Sequence, residues 1–543
     1  MERERQNPGL PRQLSMPASA SRVLFLGLDG GTMSVLAPGF ERGLLPNLAS
    51  LWRRSATGTL RSSEPMVTPV AWTSFATGCT PPTHGIHEFY YVDAADRTIR
   101  SNHAGRVRVP TLWQIMSAAG REVVSLNLPM TYPPPQVRGV VVAGSDAPGL
   151  TWAFAQCPDF AEEIFEQVPD YTHKIVWKKR PRTLEDLQSQ AEKNRATFYA
   201  QAEAAERADA RTDWSAMMVH FHNLDSLQHR LWPYLDVDET GVREKGWNEE
   251  VESCLKALDD SAGRLMELAS KRDAAVVAVS DHGFGPCRAL VNVNGLMRQA
   301  GLQRGLLYGT RFKYRAQRLG DRFHRWMTRR APGGAGRRLP RSIEGQVGCD
   351  WKRTAVYAPF GQLSGCLFVN RTVVPHAAAA ERVRGEVIEI CREARDPETG
   401  AALFRDVFDV AERYGLDPTA EGLPDVLALS ADGYQAQAKW GVTLRNELLR
   451  PDPNLPATHY MDGIIAIDAP DIKPGAHLHA NLHDVAPTAL TMLGMRVPES
   501  MEGRVLHEAF ENPLHVRYGA RPVIEPDPRF EALLAAGFGA ECD

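Results

Sequence analysis

Four places along the chain set an acid or an imidazole at the border of a short apolar run. Asp29 follows VLFLGL (Val23–Leu28) and precedes Gly30 and Gly31. Asp225 and His229 follow AMMVHF (Ala216–Phe221), in HNLDSLQHRLW. Asp281 and His282 end AAVVAVS and run into Gly283, and His459 precedes GIIAI in THYMDGIIAI. Carboxylates and imidazoles brought together bind divalent cations, and a donor set without cysteine suits zinc or manganese better than calcium. Taken singly, each has a plainer explanation. A carboxylate at a strand end commonly forms a turn or caps a helix. The i, i+4 spacing of Asp225 and His229 puts both on one helical face, which serves a local hydrogen bond as well as joint ligation. Asp281-His282 is sharper, because an acid and an imidazole at the end of a buried strand are costly without partners. The four together point to a metal.

A nucleophile can be argued from helix chemistry. In MVTPVAWTSFATG, Thr68 precedes Pro69, an apolar stretch follows, and Gly78 closes it. Pro favours the first helical position and Thr the N-cap, so the pattern predicts Thr68 as an N-cap. Unpaired backbone N–H groups and the positive end of the helix dipole would meet there and attract an anion. A hydroxyl so placed serves equally as a cap or, beside a metal, as a nucleophile towards phosphorus.

Other elements must hold these side chains. Strand-like runs lie at Val23–Leu28, Val123–Leu126, Val140–Ala143, Ala216–Phe221, Ala274–Val279 and Ile464–Ile467. Helix-like segments alternate with them: Leu48, Leu51 and Trp52 at helical spacing, then Leu112–Ala119, Val251–Leu268 and Val485–Leu493. Short apolar runs alternating with helices predict an α/β fold, a mostly parallel sheet covered on both faces. Ligands of such sheets bind at the carboxyl ends of the strands, where most of the candidate residues fall. We expect a leader without structure at 1–20 and a catalytic core in three parts, 21–149, 213–297 and 451–515. Between them lie a helical insertion at 150–212, a basic insertion at 298–350 and an α+β cap at 351–450, with a tail at 516–543.

A net charge of −4 gives no reason to expect nucleic acid as a partner. The eight cysteines are scattered without metal-ligand spacing, which suits a reducing compartment. The first twenty residues lack the apolar core of a secretory signal, and no apolar run approaches the length of a membrane span, so a cytoplasmic protein is expected. Nothing in the sequence sets an oligomeric state.

These residues resemble the type I phosphodiesterase/nucleotide pyrophosphatase branch of the alkaline phosphatase superfamily, and within it the predicted phosphohydrolase/phosphomutase group. The resemblance runs from Val23 to about Leu506 through LGLDGG, LPNLASL, PMVTPVAWTSFATGCTPPTHGIHEF, DSLQHRLW, VSDHGFG, NVNGL, THYMDGIIAI and DVAPTALTMLGMRVPESMEGRVL. It implies a three-layer alkaline-phosphatase-like sandwich with inserted cap segments. It also implies two divalent ions, zinc foremost and manganese as the alternative, roughly 4 Å apart on the substrate phosphate. By position, Asp29, Asp281, His282 and Thr68 would hold one ion, and Asp225, His229 and His459 the other. Thr68 would attack in line to give a phosphothreonine, hydrolysed with overall retention. The partner expected is a small phosphorylated substrate, a diester or a monoester. Transfer to an acceptor alcohol, as in a mutase, and phosphoester binding without turnover are the alternatives.

For the last ligand, His477, His479 and His483 in GAHLHANLHD form a denser cluster, and the resemblance favours His459. His84 resembles a turn histidine with a structural role. Relatives that cleave nucleotide pyrophosphates carry an Asn shortly after the His-Gly-Ile turn, where Phe89 stands in this chain. Cys79-Thr80-Pro81-Pro82-Thr83 lacks the Arg of a sulfatase motif. From Arg298 to Arg341 there are thirteen Lys or Arg and one acid, Asp321. Within that stretch, residues 311–330 read as an insertion helix packed on the core. Substrate steering or contact with an anionic membrane surface is the less favoured reading.

Overall fold

The computed structural model describes residues 20–93, 98–147, 154–173, 180–235, 244, 246–305, 341–342, 349–361, 363–417, 422–438 and 447–523. Residues 311–330, the leader to residue 19 and the tail beyond residue 523 lie outside the described residues.

Apolar runs whose successive side chains face opposite ways become strands buried on both faces. In chain order the strands that matter to the site are β1 (Arg22–Leu28), β2 (Ala56–Arg61), β3 (Glu122–Leu128), β4 (Gly139–Ala143), β5 (Trp214–Phe221), β6 (Ala274–Val279) and β7 (Gly283–Pro286). They continue as β8 (Ser364–Val369), β9 (Phe404–Asp409), β10 (Val426–Ser430), β11 (Ala457–Tyr460), β12 (Asp462–Asp468) and β13 (His477–Asn481). The helices are α1 (Pro46–Arg54), α2 (Thr68–Thr77), α3 (Leu112–Ala118), α4 (Leu184–Arg211), α5 (Asn223–Leu235), α6 (Trp247–Lys271), α7 (Ala377–Glu393) and α8 (Val485–Met492).

The central sheet has eight strands in the order β13-β2-β12-β6-β1-β5-β3-β4. Strand β12 runs antiparallel to both its neighbours, and the other pairings are parallel. Alternation along β1 sorts the core. Leu24, Leu26 and Leu28 pack on one face with residues of α1, α4 and α6, while Val23 and Phe25 pack on the other with α2, α3 and α8. This is the three-layer α/β sandwich expected from the sequence. Helix α4, inside the segment read as a helical insertion, is part of the first of these layers. Strands β2 and β13 were not visible in the sequence pattern: β2 (ATGTLR) mixes buried and half-buried positions, and β13 (HLHAN) is an edge strand with exposed His477 and His479.

Strands β8, β10 and β9 form an antiparallel sheet with Val356–Tyr357 at one edge. Helix α7 packs on one side of this cap through Val387 and Cys391. The chain leaves the core after β7 and returns through β11, and these two strands pair antiparallel with Pro286 opposite Ala457 and Phe284 opposite His459. Among the described residues no helix is long and apolar enough to cross a membrane. The seven cysteines described are free thiols.

Candidate metal centre

The parallel strands β1, β5 and β6 end side by side, so the loops that follow them share one end of the sheet. Asp29 follows β1, Asp225 sits in the first turn of α5 just after β5, and Asp281 and His282 lie between β6 and β7. His459 arrives from the other direction on β11. Asp29, Asp281 and His282 are fully buried, and Asp225 and His459 are nearly so.

One cluster is Asp225, His229 and His459. His459 Nε2 lies 3.1 Å from Asp225 Oδ1 and 3.1 Å from His229 Nε2, and His229 Nε2 lies 3.4 Å from Asp225 Oδ1. Each ring is aimed from behind by a backbone carbonyl. His229 Nδ1 faces Ala457 O at 3.1 Å, and His459 Nδ1 faces Met66 O at 3.2 Å. A carbonyl only accepts, so both Nδ1 atoms carry the proton of a neutral ring and both Nε2 lone pairs meet. Two lone pairs and a carboxylate at such distances repel unless a cation joins them.

Beside it stand Asp29, Asp281 and His282. His282 Nε2 lies 3.2 Å from Asp281 Oδ2 and 3.6 Å from Asp29 Oδ1. Asp281 Oδ1 accepts from Gly30 N–H at 3.0 Å. Asp29 Oδ1, Asp281 Oδ2 and His282 Nε2 are all buried without a hydrogen-bond partner. Three buried ligand atoms that face one another without hydrogen-bond partners suit a shared cation. The groupings Asp225/His229/His459 and Asp29/Asp225/His282 each bring their ligand atoms within 4.8 Å of one another. The donor set fits divalent metals.

Burial would raise the Asp29 carboxyl, but the charge of His222 and hydrogen bonds from His220 and His222 overcome it and hold it well below the usual range. Asp281 goes the other way: burial and the Asp29 charge push it well above. Burial raises Asp225 too, yet His229 and His459 bring it to about 2. Burial drives His229 down to about 4 and His282 to about 3, so both rings stay neutral and able to ligate at ordinary pH.

Thr68 is buried and opens α2, but not as its N-cap. That position is Val67, and no side chain caps the helix. The expectation shifts by one residue because the first turn closes on Val67: the N–H groups of Val70 and Ala71 both reach the Val67 carbonyl at 2.9 Å. Pro69 has no N–H, so the Thr68 N–H is the one first-turn donor without a partner among the described residues. This helix start therefore offers one free N–H among the described residues where the sequence pattern implies several. The Thr68 hydroxyl does not cap α2, and the residues before it are tied to the Asp225/His229/His459 cluster by the bond from His459 to Met66 O.

Two neighbours escaped the sequence reading, His220 and His222. His220 Nε2 and His222 Nδ1 each lie 2.9 Å from Asp29 Oδ2. His220 ends an apolar strand and reads as core; its only signal was a polar residue inside an otherwise apolar run. His84 makes a buried contact with Ser74 Oγ at 3.0 Å and accepts from Ile86 N–H at 3.2 Å. Exposed His477 and His479 on β13 stand against one another and outside every candidate metal grouping of the described residues.

The sequence profile of the type I phosphodiesterase/nucleotide pyrophosphatase family matches residues 23–462. No curated protein is matched. Among solved structures, the chain is similar to phosphonoacetate hydrolase from Sinorhizobium meliloti 1021 in complex with phosphonoformate, with TM-score 0.54 and 16% identity over 88% of this chain and 97% of that one. It is also similar to human ectonucleotide pyrophosphatase/phosphodiesterase 5, with TM-score 0.51 and 12% identity over 90% of this chain and 100% of that one. At such identities the likeness bears on the fold, and it agrees with the sheet and layers described above. The family match over most of the sequence supplies the rest: the chain belongs to the type I phosphodiesterase/nucleotide pyrophosphatase family of phosphoric ester hydrolases.

Proposed function

We propose that the protein is a metal-dependent phosphohydrolase that cleaves a small phosphodiester or phosphomonoester through a phosphothreonine at Thr68. The observation that carries this is the pair of facing Nε2 lone pairs of His229 and His459 at Asp225, next to the orphaned atoms of Asp29, Asp281 and His282. Asp225, His229 and His459 would hold one divalent ion, and Asp29, Asp281, His282 and the Thr68 oxygen a second. Zinc is the first choice and manganese the second, given nitrogen and carboxylate donors without thiolate. When bound, such a pair supplies positive charge to the phosphate oxygens and favours ionised nucleophile and leaving group.

The chain's own residues do the remainder. Thr68 presents its hydroxyl at the positive end of α2, where the free Thr68 N–H can donate to a phosphate oxygen. Attack by its oxygen on phosphorus expels the leaving alcohol and leaves Thr68 esterified; water then displaces Thr68 from the opposite side, regenerating the hydroxyl. His229 and His459 keep their Nε2 lone pairs turned inward because Ala457 O and Met66 O hold the other side of each ring. Phe89 contributes an apolar wall beside Val67 and Val70 and no hydrogen bond from its side chain, which supports simple esters over nucleotide pyrophosphates. The test is turnover of bis-(p-nitrophenyl) phosphate and p-nitrophenyl phosphate by protein loaded with Zn²⁺ or Mn²⁺, with reversible loss on chelation. A wild-type protein inert with both substrates and both metals would sink the proposal.

A further inference from the structure

Asp29 uses its two carboxylate oxygens differently. Oδ2 takes both imidazoles, His220 Nε2 and His222 Nδ1, each at 2.9 Å. Oδ1 is buried and has no hydrogen-bond partner. Of the two histidines, His220 is fully buried, and it is held from three sides. Its Nδ1 lies 2.9 Å from the Asn127 carbonyl while its Nε2 faces the carboxylate, so one ring proton has two acceptors and the charge of Asp29 draws it to Nε2; its own carbonyl accepts from Asn127 Nδ2 at 2.9 Å. That geometry comes from a local irregularity: Asn127 has φ 66, and the register of β3 against β4 shifts between Leu126 and Leu128, while against β5 it pairs in step from Val123 to Leu126 after a shift at Glu122. Bulges of this kind re-aim groups next to functional sites. The third side is Trp72, whose ring meets the His220 ring edge-on with centroids 4.7 Å apart. Trp72 lies one turn along α2 from Thr68. Room for this packing comes from Gly27, where a Cβ would lie 3.1 Å from Trp72 Cη2 and 3.2 Å from His220 Cδ2.

We infer that His220 is a positioning residue that ties Asp29 to the Thr68 helix. It occupies Oδ2 so that Oδ1 is the oxygen left for a metal, and it fixes that carboxylate relative to α2 through Trp72. A buried carboxylate free to rotate would offer either oxygen; one with Oδ2 saturated offers a single lone-pair face. The inference rests on the two-metal reading above and assigns His220 no contact with substrate.

The experiment uses the full chain, stripped of metal and titrated with Zn²⁺ against a chromophoric chelator, with the melting temperature of the metal-free protein read alongside. His220→Met keeps bulk and apolar packing but removes the donor. It is expected to bind one ion as wild type does and the other roughly 10- to 100-fold more weakly. His220→Gln, which retains an N–H towards Asp29, is expected to recover most of that loss. A folded His220→Met protein that binds two ions with wild-type strength overturns the inference. If His220→Met does not fold, the decision passes to His220→Gln: near-normal uptake of both ions supports it, and loss of an ion with an unchanged metal-free melting temperature overturns it. Wild-type protein that takes up no ion at all would instead sink the two-metal reading, a separate result.

Discussion

His229 Nε2 and His459 Nε2 lie 3.1 Å apart across 230 residues of sequence. Helix α5 brings the first, the returning strand β11 brings the second, and a backbone carbonyl behind each ring decides which nitrogen faces its partner. The arrangement stores repulsion that a divalent ion would relieve, and its consequences can be measured.

Thr68→Ala is expected to lower kcat for bis-(p-nitrophenyl) phosphate by a factor on the order of 10³ or more. The melting temperature should barely move, because this hydroxyl does not cap α2. Thr68→Ser should keep part of the activity. Steady-state kinetics and thermal melts decide; a Thr68→Ala enzyme with near-normal kcat would show that another group attacks phosphorus.

Asp281→Asn should separate stability from function. Asn can still accept from Gly30 N–H, while the orphaned second oxygen is replaced by an amide that can donate to His282 Nε2, 3.2 Å from that position. The metal-free protein is expected to gain about 1–3 kcal/mol, the cost of one unsatisfied buried group. The variant should also lose one of its two ions. Denaturant melts without metal, paired with metal analysis, check both arms.

Acid should weaken the fold through His87. Burial, with Arg108 and Arg106 nearby, depresses this imidazole from 6.5 to about 3, and its Nε2 is buried without a partner. The folded chain keeps it neutral while the unfolded chain takes up a proton below about pH 6.5. Its contribution is therefore complete above that pH and drains away as pH falls towards 3. His87→Leu is expected to be close to wild type in stability at pH 8 and to lose less between pH 6.5 and 4, read from melting temperature against pH.

Gly30→Ala should damage the centre without touching a ligand. Gly30 has φ +68, and a Cβ there would sit 2.7 Å from Phe284 Cδ2, a ring that packs against His229 with centroids 4.8 Å apart. Strain of about 1–3 kcal/mol is expected, together with weaker metal binding. Calorimetry of metal uptake would reveal it.

Much of this was legible in the residues. The six acidic and imidazole candidates stood out because charged groups at the ends of apolar runs conflict with burial, and conflict of that kind marks function. The strands that read clearly were those buried on both faces, such as β1 and β6. Strands β2 and β13 did not, since they lack a continuous apolar signature. Local sequence also could not say which carbonyl closes the first turn of α2, so Thr68 was placed one position early. His220 was hidden for a different reason. Its partners Asp29 and Asn127 lie 191 and 93 residues away, and nothing but the folded register of β5 between β1 and β3 brings them together.

The ribbon of β7 and β11 is the doorway of the cap: everything between Pro286 and Ala457 departs and re-enters through two adjacent strands. The segment between them also touches the core away from this ribbon, where Leu363 packs with Val67 and Val70, so an exchanged or trimmed module must keep that contact. His282 and His459, one on each side of that doorway, stay in the frame whatever is hung on it. Substrate choice and metal binding would then be housed in separate parts of one chain, a division that grafting another member's segment between those two strands would test.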